Sequence, residues 1–167
     1  GKSFFLSHFA VENGFVHFNT DIIRKKLGVK GQYDEETKQS VYNAMEQKVE
    51  KEIKKGNDVV VDGTFHKRNR REKFIGLARD LNVPFCIIKL EAGVQTVQRR
   101  LEKSRKYSDA GWTVYQKLEC DFEPIRHQHL KMRSDEGSIG DMIQKAKIYI
   151  YEKRTGERNN GAVQPAR

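Results

Sequence analysis

Asp58-Val59-Val60-Val61-Asp62 is the run that decides how this chain folds. Its three consecutive β-branched residues suit a strand. A strand that is apolar at every position, rather than at alternate ones, is covered on both faces, as in a parallel sheet flanked by helices. Working outward, Phe15-Val16-His17-Phe18 reads as a short strand before it. Pro84 to Leu90 reads as a second buried strand after it, and His129-Leu130-Lys131-Met132 as a weak last one. Helical periods lie between them, and that alternation argues an α/β architecture with a mainly parallel sheet.

The helical segments carry their own punctuation. Ser3 to Val11 reads as the first helix. Thr20 is placed to cap a short helix that buries Ile22, Ile23 and Leu27 and stops at Gly28. Asp34 can cap a long helix whose stripe Val41, Met45, Val49 and Ile53 repeats every fourth residue. Phe74, Leu77, Ala78 and Leu81 line another, and a further helix is expected to begin near Thr113. Ser138 and Asp141 form a capping box ahead of Ile139, Met142, Ile143, Ala146 and Ile150. Nothing repeats internally, so one domain over residues 1–152 is expected, followed by a polar, disordered tail over 153–167.

The 167 residues are 37% apolar and 33% charged, enough for one sizeable core under a solvated surface. No apolar run approaches the roughly 18 residues of a membrane span. Cys86 and Cys120 show neither CxxC nor zinc spacing, Cys86 reads as a small buried thiol, and a reducing, cytoplasmic setting is expected. The net charge of +9 attracts anions in general and does not choose among them.

Four clusters bear chemistry. Gly1-Lys2-Ser3 matches the end of the phosphate loop G-x-x-x-x-G-K-[ST], in which backbone N–H groups cradle phosphates, Lys reaches the β- and γ-phosphates and Ser holds Mg²⁺. The numbering starts inside that motif. The loop's first residues and a preceding strand are therefore expected to be missing, and residues 1–167 alone would aggregate through the exposed edges of a central gap. Asp62 ends its strand either as a Mg²⁺-side carboxylate or as an ordinary turn residue before Gly63. Asp21 and Arg24 share a helix face three residues apart. The pair suits an acceptor hydroxyl with a nearby anion, or else a solvated ion pair. Two basic runs, Arg99 to Lys106 and His66 to Arg71, could close over phosphate or hold an anionic substrate, and either could equally be a solvated helix face.

Taken together, these residues resemble the P-loop small-molecule and polynucleotide kinases. The group includes the phage-type polynucleotide 5′-hydroxyl kinase domain and the zeta-toxin-like and chloramphenicol-phosphotransferase-like enzymes. The resemblance is carried by Gly1-Lys2-Ser3, Phe18 to Arg24, Val59 to Phe65 with Arg68 and Arg71, Pro84 to Leu90, and Arg99 to Arg105, in that order over roughly residues 1–125. It implies a P-loop three-layer sandwich and an ATP- and Mg²⁺-dependent kinase. Gly1, Lys2 and Ser3 would bind the triphosphate, with Ser3 and Asp62 on the metal. Asp21 would be the base, and Arg24, Thr64 and Arg68 would bind the acceptor. Arg100, Lys103 and Arg105 would act from a lid. The acceptor would be a nucleic-acid end or a small hydroxyl compound. Two other classes stay open at this level: a P-loop ATPase without an acceptor, and a basic nucleic-acid-binding module that ignores ATP.

Overall fold

The computed structural model describes residues 1–103 and 109–160. The chain divides into two compact units, one spanning Lys2–Leu81 and the other comprising Gly1 and the chain from Asn82 onward.

The N-terminal unit runs α1 (Lys2–Asn13), β1 (Val16–Asn19), α2 (Thr20–Lys26), α3 (Glu35–Lys54), β2 (Val59–Asp62) and α4 (Arg68–Asp80). β1 and β2 pair in parallel, with Val16 opposite Val59 and Asn19 opposite Asp62. Phe18, Val59 and Val61 pack against the buried α3 stripe Val41, Tyr42, Met45 and Val49, together with Ile23 of α2. Because strand side chains alternate, His17, Asn19, Val60 and Asp62 then face the opposite way. That second face belongs to α1, which lies against both strands and buries Phe5, Phe9 and Ala10. The all-apolar Val59–Val61 run is therefore covered on both sides, as its sequence predicts.

The C-terminal unit runs β3 (Ile88–Glu91), α5 (Val94–Lys103), α6 (Asp109–Cys120), β4 (Leu130–Arg133) and α7 (Ile139–Asn160). β3 and β4 are also parallel, Ile88 opposite Leu130 and Glu91 opposite Arg133. Their C-terminal ends are clasped by Ser134 N–H donating to Glu91 O at 2.8 Å and by Gly93 N–H donating to Asp135 Oδ2 at 2.7 Å. The Arg133 guanidinium and the Gly93 N–H hold the Asp135 carboxyl well below the ordinary carboxylate range. α7 buries Met142, Ile143 and Ala146. The parallel strands thus form two two-stranded sheets among the described residues, rather than one continuous sheet.

Several local expectations shift. Asn19, not Thr20, caps α2, its Oδ1 accepting from Asp21 N–H at 2.8 Å and Ile22 N–H at 3.3 Å. Of the three apolar residues expected inside α2, Ile23 is buried, while Ile22 and Leu27 are exposed. Seven residues make barely two turns, so this helix turns a single apolar position inward. α6 begins at Asp109, ahead of Thr113. α7 continues through Asn160, so residues 153–160 extend a helix where a polar tail was expected, and 161–167 lie outside the described residues. Glu, Lys and Arg favour helix, and Lys153 Nζ donates to Gln128 Oε1 at 2.7 Å. Both cysteines are unbridged, Cys86 half-buried rather than enclosed. Among the described residues no helix is long and apolar enough to cross a membrane.

Met45 is fully enclosed, so Met45→Ala should lower the unfolding free energy by roughly 2–5 kcal/mol in a urea titration. Asp135 has a lowered carboxyl pKa in the folded state, so its contribution is fully present above the unfolded value near pH 4 and is lost as pH falls further. The difference in urea midpoint between wild type and Asp135→Asn should therefore be widest near pH 6 and shrink toward pH 3.

Candidate active site

Four side chains converge on Asp62, which is 1% exposed at the C-terminal end of β2. Ser3 Oγ donates to Asp62 Oδ2 at 2.9 Å, and Asn19 Nδ2 donates to the same oxygen at 2.6 Å. Lys2 Nζ lies 3.6 Å from Asp62 Oδ1 and His17 Nε2 lies 3.6 Å from Oδ2. The convergence follows from the register. Asn19 sits directly opposite Asp62, His17 lies two residues back on the same face, and the first turn of α1 supplies Lys2 and Ser3.

The environment suits a hard cation. Asp62 Oδ1 is buried and makes no hydrogen bond. That carboxylate oxygen and the Ser3 hydroxyl are the kind of sparse oxygen donors that take Mg²⁺ together with phosphates, and not a dedicated protein cage. No cluster of three or more His, Cys, Asp or Glu able to hold a metal ion occurs among the described residues.

Asn19 also connects this centre to the second one. Its Oδ1 caps α2 while its Nδ2 holds Asp62, which fixes where Asp21 leaves the strand. Asp21 is largely exposed, and its Oδ1 accepts from Arg24 Nη1 at 3.2 Å. Arg24 is 6% exposed, donates from Nε to Gln32 O at 3.1 Å, and lies under the Tyr33 ring at 4.6 Å.

Beyond Asp62 the backbone is tightly constrained. A Cβ at Gly63 would come within 3.0 Å of the Phe65 ring, 3.2 Å of Thr20 Cγ2 and 3.2 Å of the Tyr42 hydroxyl. Phe65 has φ 48, a left-handed conformation that is strained for an aromatic residue. Edge-on contacts to Tyr42 and Phe74 hold it there, as does Arg71 Nη1, which donates to Phe65 O at 2.7 Å and His66 O at 3.2 Å. Burial pushes the Tyr42 hydroxyl above the usual tyrosine value. Arg70 and Arg71, part of the run His66 to Arg71, are buried, and Arg70 donates to Glu35 Oε2 at 2.7 Å. Thr64 and Arg68 are exposed, Arg68 Nε lying 3.5 Å from Glu72 Oε1.

The lid candidates belong to the other unit. Arg100 Nη1 and Nη2 donate to Ser134 Oγ at 2.9 Å and Ser134 O at 2.8 Å, and a Cβ at Gly1 would lie 3.2 Å from Arg100 Nη1. Lys103 closes α5, while Arg105 lies outside the described residues. Lys2, Ser3 and Asp62 are brought together as their types suggest, and Asp21 meets Arg24. Asn19 and His17 escaped sequence reasoning. The preference for Asn at helix N-caps was the one available signal for Asn19.

An α/β unit with a Lys-Ser pair at a helix start, facing a strand-end Asp, has the make-up of a P-loop nucleotide-binding protein. The chain belongs to the AAA domain family, which it matches over residues 1–124. No curated protein sequence matches it. Among solved structures it is similar to a gluconokinase from Sinorhizobium meliloti 1021, with a TM-score of 0.70 and 14% identity over 98% of this chain and 91% of that one. It is also similar to the Mycobacterium tuberculosis APS kinase CysC, determined in complex with AMPPNP and APS, with a TM-score of 0.66 and 14% identity over 90% and 91% of the two chains. The fold is that of the small P-loop kinases.

Replacing Asn19 by Ala removes the cap of α2 and a donor to the buried Asp62 carboxylate together. Asn19→Ala should cost roughly 2–3 kcal/mol of stability, read from chemical denaturation, and Asn19→Ser should recover part of it through the cap.

Proposed function

We propose that this protein is an ATP- and Mg²⁺-dependent phosphotransferase that moves the γ-phosphate of ATP to an acceptor hydroxyl. The observation that carries the reading is the Ser3–Asp62 hydrogen bond at 2.9 Å with Lys2 facing the same carboxylate at 3.6 Å. Those three residue types hold phosphate and its metal in P-loop enzymes.

Lys2 is 42% exposed, so its ammonium can swing from Asp62 to the β- and γ-phosphate oxygens, with Gly1 beside it in the phosphate loop. Ser3 and Asp62 would hold Mg²⁺, directly or through water. When bound, the ion would offset the negative charge that gathers on the phosphate oxygens during transfer. Asp21 is the base. Its Oδ1 is held by Arg24, leaving Oδ2 to take the acceptor's proton as the acceptor oxygen bonds to the γ-phosphorus and ADP leaves. Arg24 orients that carboxylate and adds positive charge where an anionic acceptor would dock. Thr64, in the loop after Asp62, and Arg68, at the start of α4, are exposed and would complete the acceptor side. Arg100, Lys103 and Arg105 would supply cations over the transferred group. The fold likeness to a gluconokinase and an APS kinase supports transfer to a hydroxyl over plain hydrolysis, as does the Asp21–Arg24 pair, which hydrolysis leaves without a task.

With labelled ATP and a panel of oligonucleotide ends and small hydroxyl compounds, Asp21→Asn should lower kcat by about 10²- to 10⁴-fold while ATP binding stays nearly unchanged. Transfer by Asp21→Asn at the wild-type rate would remove Asp21 from this role. Phosphate release without any labelled acceptor would replace the transferase reading with that of an ATPase.

A further inference from the structure

The exit of β4 holds the helix that carries Arg100 at two points. Asp135 Oδ2 accepts from the Gly93 N–H at 2.7 Å, and Gly93 O accepts from the Val97 N–H at 3.0 Å, which ties the start of α5 to the strand end. About two turns further along, Arg100 donates from Nη1 to Ser134 Oγ at 2.9 Å and from Nη2 to Ser134 O at 2.8 Å. Ser134 is itself anchored, its N–H donating to Glu91 O at 2.8 Å at the end of β3. Two adjacent residues of one loop thus fix both the helix start and a guanidinium on it. A planar guanidinium held through two of its nitrogens has a set orientation, whereas a side chain closing in from solvent must be ordered at each turnover.

The carboxylates of the same exit are taken by other cations. Arg133 meets Asp135 and Glu136 at 2.9 Å each, and Lys89 meets Glu91 at 2.6 Å. Arg100 is held by a hydroxyl and a carbonyl, and among the described residues it pairs with no carboxylate. Neutral oxygens fix the group without cancelling its charge, and the remaining N–H donors of its fork stay open to an anion. Arg100 is exposed, and a Cβ at Gly1 would lie 3.2 Å from its Nη1 and 3.5 Å from Ser134 Oγ. The oriented cation therefore stands beside the glycine that opens Gly1-Lys2-Ser3.

We propose that Ser134 is a positioning residue of the nucleotide site, fixing Arg100 beside Gly1 as a stationary cation for the nucleotide's phosphates rather than a mobile lid group. The proposal rests on Gly1-Lys2-Ser3 binding the triphosphate. It separates Arg100 from the rest of its basic run, because the Ser134 hydroxyl and carbonyl set where its charge stands before any nucleotide arrives.

Equilibrium binding of a fluorescent ATP analogue, competed with ATP and separately with inorganic triphosphate, tests the assignment without an acceptor. Ser134→Ala removes the partner of Nη1 and keeps the backbone bonds of residue 134, so it should weaken both competitors about three- to tenfold. Ser134→Thr keeps the hydroxyl and should stay within about twofold of wild type. In an Arg100→Gln background, Ser134→Ala should change neither Kd, because the hydroxyl acts only through the guanidinium. A merely structural Ser134 would instead give the same loss with and without Arg100. That additivity, unchanged binding in Ser134→Ala, or a loss for ATP that inorganic triphosphate does not share would each overturn the proposal. Transfer to an acceptor with wild-type ATP affinity in Ser134→Ala would sink the positioning role and leave the phosphotransferase standing. Coupled Ser134 and Arg100 losses in ATP binding, with no transfer to any acceptor, would do the reverse. A wild-type chain that binds neither ATP nor inorganic triphosphate would overturn both.

Discussion

The buried Asp62 carboxylate sets the terms for the N-terminal unit. A carboxyl group at 1% exposure is costly without partners, and here Ser3 and Asn19 both donate to Oδ2 while Lys2 stands 3.6 Å from Oδ1 and His17 3.6 Å from Oδ2. Those partners come from α1 and β1, so satisfying one side chain fixes how both meet β2. The pairing of Asn19 with Asp62 also fixes the register. A slip of one residue would turn Asp62 toward the α3 core, where nothing could receive its charge. Because Asn19 caps α2 with its other end, the same contact decides where Asp21 starts. The Asp62 centre and the Asp21–Arg24 pair are tied through one amide side chain.

The loop after Asp62 shows how the basic residues are divided. A helix beginning Arg68-Asn69-Arg70-Arg71 reads as a solvated cationic face, yet Arg70 and Arg71 turn inward. Arg71 is spent on the Phe65 and His66 carbonyls, which a left-handed Phe65 would otherwise leave poorly placed. Gly63 has room for no side chain, because the Phe65 ring, Tyr42 and Thr20 close around it. Strain at Phe65 is held by aromatic packing and by a buried guanidinium, and the outcome is a rigid exit from β2 with Thr64 outward. Arg24 follows a similar pattern, being buried under Tyr33 while its partner Asp21 stays exposed. The net charge of +9 therefore overstates the free positive surface of this chain, since part of it stabilises backbone turns.

Much of the architecture could be read from local patterns. Val59 to Val61, the α3 stripe, the Asp34 cap and the Ser138–Asp141 box are short-range statements about period and capping, and each is realised where it was expected. The site was legible where residue type alone implies chemistry, in Lys2, Ser3 and Asp62 and in the Asp21–Arg24 spacing. Thr20 was taken for the cap because hydroxyls and amides compete for that position, and only the strand end of Asn19 settles the competition. Ile22 and Leu27 looked buried because a short helix offers too few residues for periodicity to separate its faces.

The sequence by itself determined the α/β alternation, the parallel strands, the helix boundaries set by caps, and the residue types that meet at Lys2, Ser3 and Asp62. All of these depend on neighbours within a few positions along the chain. Only the tertiary structure decided that Asn19 serves both Asp62 and α2, that Arg70 and Arg71 are buried, that Tyr33 lies on Arg24, and that Arg100 is held by Ser134. Most of these are contacts between residues far apart in sequence, and the rest depend on how a loop or helix packs. Their existence depends on strand register and on which face of each helix meets the sheet, and neither is encoded in any short stretch of the chain.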